Sequence, residues 1–69
     1  MSPLAQYREK HGLSLSAMGA RLGVHKSTVN RWERGERLPR ASQLAHISRL
    51  TGIPAAVLRP DLAEAMKGR

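Results

Sequence analysis

The sequence predicts an all-α fold of five short helices, and three observations carry that prediction. Gly12, Gly23, Gly35, Pro39, Gly52, Pro54 and Pro60 punctuate the chain, and the stretches between them run roughly ten residues with helix-favouring composition. Only seven residues are β-branched: Val24, Thr28, Val29, Ile47, Thr51, Ile53 and Val57. No stretch alternates apolar and polar residues for long enough to form a strand.

Helix one is expected from Pro3 to His11. Ser2 is its cap, Pro3 suits the first helical position and Gly12 closes it. At about 100° per residue, Leu4, Tyr7, Arg8 and His11 share one stripe. Helix two is expected from Leu15 to Leu22, capped by Ser14 and closed by Gly23, with Leu15, Met18, Gly19 and Leu22 as its stripe. Helix three covers Lys26 to Arg34 and stops at Gly35. Helix four begins near Pro39–Arg40 and ends before Gly52. Its apolar side is Ala41, Leu44, Ala45, Ile47 and Leu50, while Ser42, His46 and Arg49 face out. Helix five starts with Pro54 and carries Val57 and Leu58. Beyond it, Asp61 and Glu64 have capping-box spacing, which predicts a last fraying turn.

The 69 residues suit one small domain, expected over residues 1–66, with a disordered tail at 67–69. Twelve Lys and Arg against five Asp and Glu leave a net charge of +7, which points to a polyanion partner, most often nucleic acid. The chain has no Cys, so disulfides and thiolate zinc sites are excluded and a reducing cytoplasm is the expected setting. The longest apolar stretches, Ala17–Ala20 and Ile53–Leu58, fall far short of the ~20 residues that span a bilayer. The N-terminus lacks the apolar centre of a signal peptide. His11, His25 and His46 sit on different helices with few carboxylates nearby, so neither a metal site nor a cofactor is expected. Ser27, Ser42 and Ser48 lack the acidic orienter and the pocket that a catalytic triad needs, and an enzyme is not expected. Single-strand or RNA binding fits poorly too, because Tyr7 and Trp32 are the only aromatic residues.

The functional signal lies in helices two and three, which only Gly23, Val24 and His25 join. Two helices about so short a Gly-containing turn are a helix-turn-helix signature. Gly19 permits close approach, and Gly23 supplies the positive φ of the turn. With Val29 set at zero, Trp32 and Glu33 fall on the inner side of helix three. Asn30, Arg34, Ser27 and Arg31 then occupy the opposite arc, from roughly 100° to 200°. That outer face carries only hydrogen-bonding side chains, as a major groove requires. Val29 and Trp32 are read as core. Arg8 and Glu33 fall on core-facing stripes of different helices, where an unpaired charge is costly, so a pair clamping helix one to helix three is expected. Arg31, Arg34, Arg37 and Arg40 recur every three residues along helix three and its exit loop.

The run from Leu13 to Gly35, with its small residue at Gly19, turn Gly23, apolar Val29 and Trp32 and the ending Trp32-Glu33-Arg34-Gly35, resembles the helix-turn-helix of the lambda-repressor-like family of phage and bacterial regulators, which includes Cro and CI. The resemblance extends from about residue 4 to residue 62. Thr51-Gly52-Ile53-Pro54 followed by Leu58-Arg59-Pro60-Asp61-Leu62 is similar to the ending of YdaS-like, Cro-like prophage regulators.

This resemblance implies a compact five-helix domain that binds double-stranded DNA as a homodimer on a pseudo-palindromic operator, with half-sites ~34 Å apart. By position, it implies Lys26, Ser27, Asn30 and Arg31 as base readers, with Arg31 best suited to guanine. It implies Ser14, Arg34, Arg37 and Arg40 as phosphate contacts, aided by the N–H groups that open helix two. Two positions depart from the family. Leu15 stands where many members place a Gln, and is expected to meet core or a thymine methyl. His25 replaces the usual Ser-type cap of helix three; a weaker cap is expected, with pH-dependent affinity if the imidazolium meets a phosphate. Ile53, Val57, Leu58 and Leu62 offer more apolar surface than a five-helix monomer can bury, which suggests a dimer interface. The function expected is that of a Cro-like repressor; the alternative is an antitoxin or anti-repressor that masks a protein partner and autoregulates through DNA.

Overall fold

In the computed structural model, which describes residues 2–62, the chain is all-helical. Ser2 Oγ accepts from the Ala5 N–H at 3.1 Å and opens α1 (Pro3–Lys10). Pro3 fills the first turn, where its missing N–H leaves no bond unmade. The helix ends one residue earlier than expected, at Lys10. His11 leaves the expected stripe and is exposed, with its ring against Tyr7 at a centroid distance of 4.2 Å. Tyr7 in turn donates its hydroxyl proton to the Leu50 carbonyl at 3.3 Å and ties α1 to the end of α4.

α2 (Leu15–Leu22) is capped by Ser14 Oγ, which accepts from the Ala17 N–H at 3.0 Å. It closes on Gly23 in the left-handed region, at a φ of 73°. α3 (Lys26–Glu33) follows after two further residues and stops one residue short of the expected Arg34. The two pack closely because Gly19 has no side chain: a Cβ there would lie 2.5 Å from the Val24 carbonyl oxygen and 3.2 Å from the Lys26 nitrogen. Both are backbone atoms, so any larger residue must displace the turn itself.

α4 (Ala41–Thr51) buries Leu44 and Ile47 and half-buries Leu50. Ala41 and Ala45, expected on its inner side, are exposed. They lie about 120° and 160° round the helix from Ile47, whereas Leu44 and Leu50 lie within about 60° of it. The buried stripe is therefore narrower than the apolar composition suggests. His46 reaches across from α4 and donates its Nε2 proton to the Arg21 carbonyl at 3.2 Å, which partners one of the last carbonyls of α2.

α5 (Ala55–Leu58) is a single turn that begins one residue after Pro54 and buries no side chain. Residues 60–62 are helical again, a sixth helical segment where only a fraying turn was expected. Pro60 opens this turn, and the Asp61 carboxylate takes two bonds from Arg59, from Nε at 2.9 Å and from Nη2 at 2.7 Å. Glu64 and the tail at 67–69 lie outside the described residues.

The core gathers Leu4, Met18, Leu22, Val29, Trp32 and Ile47 from the first four helices. Met18 and Val29 are wholly buried, each contributing about 2 kcal/mol relative to exposure. Leu15 and Leu13 pack against this cluster and are half-buried. Leu15 thus takes the core position, one of the two settings expected for it.

Candidate nucleic-acid interface

What fixes α3 is its inner side. Val29 and Trp32 enter the core, and Glu33, the one carboxylate of the helix, is turned inward with them. Arg8 meets it as a fork: Nε donates to Oε2 at 2.7 Å and Nη2 donates to Oε1 at 3.0 Å. The remaining Arg8 nitrogen, Nη1, donates to the Leu13 carbonyl at 3.0 Å, so one guanidinium joins α1, α3 and the loop before α2. The side chains are only 19% and 7% exposed. The bond to Glu33 holds the Arg8 proton more firmly than usual. Planar bidentate pairing of this kind fixes orientation as well as distance.

With its carboxylate turned in, the outer side of α3 is left with cations and neutral hydrogen-bonding groups. Lys26 and Arg31 are exposed, and Ser27 and Asn30 are half-buried at the same surface. The four residues implied as base readers therefore lie together on α3. His25, just before them, does cap the helix: its Nδ1 accepts from the Ser27 N–H at 3.1 Å. The same Nδ1 lies 2.8 Å from Ser27 Oγ.

The exit from α3 is a Schellman turn. The Gly35 N–H donates to the Trp32 carbonyl at 3.2 Å and the Glu36 N–H to the Arg31 carbonyl at 2.9 Å, with Gly35 at a φ of 75°. A third bond, from the Arg37 N–H to the Arg31 carbonyl at 3.3 Å, brings the chain back beside the helix. Arg37 and Arg40 then line one cleft of about 260 Å³ with Thr28 and Gln43. Arg34 differs from these two: it is exposed but leans on Glu36, Nη2 to Oε1 at 3.4 Å. An exposed pair of that length is weak and yields readily to a phosphate.

Thr28 and Gln43 were not anticipated. Thr28 falls beside Trp32 in the helical projection, away from the arc of Ser27, Asn30, Arg31 and Arg34. Gln43 Oε1 accepts from the Arg40 N–H at 2.8 Å, leaving its amide protons available beside the two arginines. The spacing Arg40-x-x-Gln43 was the available signal for that contact. Ser14, the remaining implied phosphate contact, sits at the start of α2. Its oxygen already accepts the Ala17 N–H, and its hydroxyl proton is left to donate.

The apolar residues near the end of the described chain are used unevenly. Ile53 and Leu58 pack partly against the core, Leu62 is half-buried, and Val57 is 47% exposed. Arg59, which the sequence offered only as part of the Leu58–Leu62 ending, clasps this region by donating from Nη1 to the Pro39 carbonyl at 2.7 Å. Among the described residues no helix is long and apolar enough to cross a membrane, and no group of three His, Cys, Asp or Glu side chains could hold a metal ion.

A family model described as helix-turn-helix matches residues 4–58, which spans α1 through α5. No curated protein and no solved structure matches the chain.

Proposed function

The chain belongs to the lambda-repressor-like helix-turn-helix family, whose members are DNA-binding transcription regulators, and on that premise we propose that it acts as a Cro-like repressor. α3 enters the major groove of a pseudo-palindromic operator, and a second copy of the chain reads the other half-site. Lys26, Ser27, Asn30 and Arg31 read base edges; Ser14, Arg34, Arg37 and Arg40 hold phosphates. The carrying observation is the division of α3 into two sides. Its only carboxylate is locked inward by Arg8, and the outer side presents two cations and two neutral hydrogen-bonding groups. A polyanion meets no like charge there. Val57, with Ile53, Leu58 and Leu62 behind it, supplies the apolar contact of the homodimer. The ending Thr51-Gly52-Ile53-Pro54 and Leu58-Arg59-Pro60-Asp61-Leu62 favours a YdaS-like prophage regulator acting on the nucleoid in the cytoplasm.

Selection of bound sequences from a random duplex library, followed by a salt titration on the selected site, tests this reading. A two-fold symmetric site is expected. With about six phosphates neutralised, log affinity should fall with log salt at a slope near about −5. A flat salt response, or selection of no common sequence, would overturn it.

A further inference from the structure

His25 does more than cap α3. Its Nδ1 accepts the Ser27 N–H at 3.1 Å, and an imidazole nitrogen that accepts carries no proton. Ser27 Oγ lies 2.8 Å from that same nitrogen, so in this tautomer the hydroxyl turns its proton there too and shares the one lone pair with the N–H. What Ser27 then presents outward is an oxygen with lone pairs and nothing to give. Protonating the imidazole reverses one of these bonds and breaks the other. Nδ1 becomes a donor to Ser27 Oγ, the Ser27 N–H loses its acceptor, and the hydroxyl proton is free to point outward.

We infer that His25 is a specificity-determining residue, setting whether Ser27 meets a base edge as an acceptor or as a donor. The inference rests on the reading of Ser27 as a base contact. In the major groove cytosine offers only the N4 amino donor and guanine only the N7 and O6 acceptors. An accepting Ser27 therefore suits cytosine, and a donating Ser27 suits guanine. Among the described residues, Glu9 lies on α1 and no carboxylate sits on α2 or in the first turn of α3. The charged side chains of α2 and of the first turn of α3 are Arg21 and Lys26, both cations. Glu33 and Asp61 are paired with Arg8 and Arg59, and Glu36, on the exit loop, makes a weak exposed pair with Arg34. None of the hydrogen bonds to His25 involves a carboxylate.

The test is selection from a random duplex library at pH about 8 and about 5.5, which bracket the ordinary imidazole range. The wild-type chain should favour cytosine over guanine at the position facing Ser27 at the higher pH. At the lower pH the ratio should shift toward guanine by roughly fivefold, the factor one ordinary hydrogen bond supplies. Ser27→Ala should lose the preference at both values and so identify the position. His25→Asn, whose amide oxygen accepts at either pH, should show no shift. A wild-type preference unchanged by pH, or a shift that persists in His25→Asn, overturns the proposal and leaves the DNA-binding reading intact. Selection of no duplex at either pH overturns that reading and the proposal with it. The imidazole nitrogen shifts of the free wild-type protein, read by NMR at the higher pH, give a result independent of DNA. The Nε2–H tautomer is expected at His25, and the Nδ1–H tautomer overturns the proposal outright.

Discussion

α3 and α5 are held by different kinds of contact. α3 places Val29 and Trp32 in the core, is braced by Gly19 contact from α2, and carries a carboxylate whose side chain is largely covered and gripped by Arg8. α5 buries no side chain, and its neighbourhood depends on Arg59, which is half-buried and reaches the Pro39 carbonyl and an exposed carboxylate, Asp61. The first arrangement resists local opening; the second belongs to the low-stability end of the structure. A helix that must present side chains at fixed positions to a groove needs the first kind of support. The homodimer contact proposed for α5 can accept the second, because association would add the burial it lacks.

Removing the charged brace should have the largest effect. Glu33→Ala leaves the Arg8 guanidinium largely buried without its partner, and should cost about 3 kcal/mol, lowering the melting temperature by roughly 10 °C or more. Glu36→Ala breaks an exposed pair and should cost less than about 0.5 kcal/mol. Equal melting temperatures for the two would remove the brace from the account. Gly19→Ala comes next. Its Cβ presses on turn backbone, and overpacking of this sort should cost about 2 kcal/mol by thermal or denaturant unfolding. A neutral result would mean that the α2–α3 turn is less closely set than its geometry indicates.

Smaller effects should separate the two regions directly. Arg59→Ala should speed amide exchange in residues 55–58 while leaving α3 unchanged. Faster exchange in both would mean that the two regions open as one unit. The Arg59 guanidinium, by hydrogen bond, holds the Asp61 carboxyl down at about 2, against an ordinary 3.8. A carboxyl depressed on folding contributes above its ordinary value and loses that contribution as the pH falls through the lowered one. Acidification toward about 2 should therefore loosen the Arg59 clasp, with an NMR titration midpoint for Asp61 near about 2. A midpoint at the ordinary value would show that the pair does not persist in solution.

Local chemistry made much of the fold legible in the sequence. Ser2 and Ser14 sit at helix starts because a short hydroxyl can reach a free N–H, and Gly23 and Gly52 sit at helix ends. Met18 with Leu22, Val29 with Trp32 and Leu44 with Ile47 show helical spacing because each helix has one inner side. Arg8 and Glu33 could be read together because each alone would be a buried charge. Other features depend on tertiary geometry that no local pattern encodes. Arg59 finds the carbonyl of Pro39, twenty positions away, only once the chain has turned back on itself. Ala41 and Ala45 are exposed because a small side chain is tolerated on either side of a helix. The cleft shared by Thr28, Arg37, Arg40 and Gln43 needs the Schellman turn at Gly35 to close it. At His25 the sequence showed an unusual cap residue, but the nitrogen that caps it, and hence the direction of the Ser27 hydroxyl, required coordinates.

In the function proposed here, one side of α3 reads sequence while its exit loop grips the DNA backbone. Comparing Arg31→Ala with Arg37→Ala on the selected operator and on an unrelated duplex tests it most directly. Arg31→Ala should lose about 1–3 kcal/mol on the operator and relax one base position, while Arg37→Ala should weaken both duplexes alike and reduce the magnitude of the salt slope by about 1. If Arg31→Ala weakens both duplexes equally, or leaves operator binding unchanged, the outer side of α3 does not read bases and the account is contradicted.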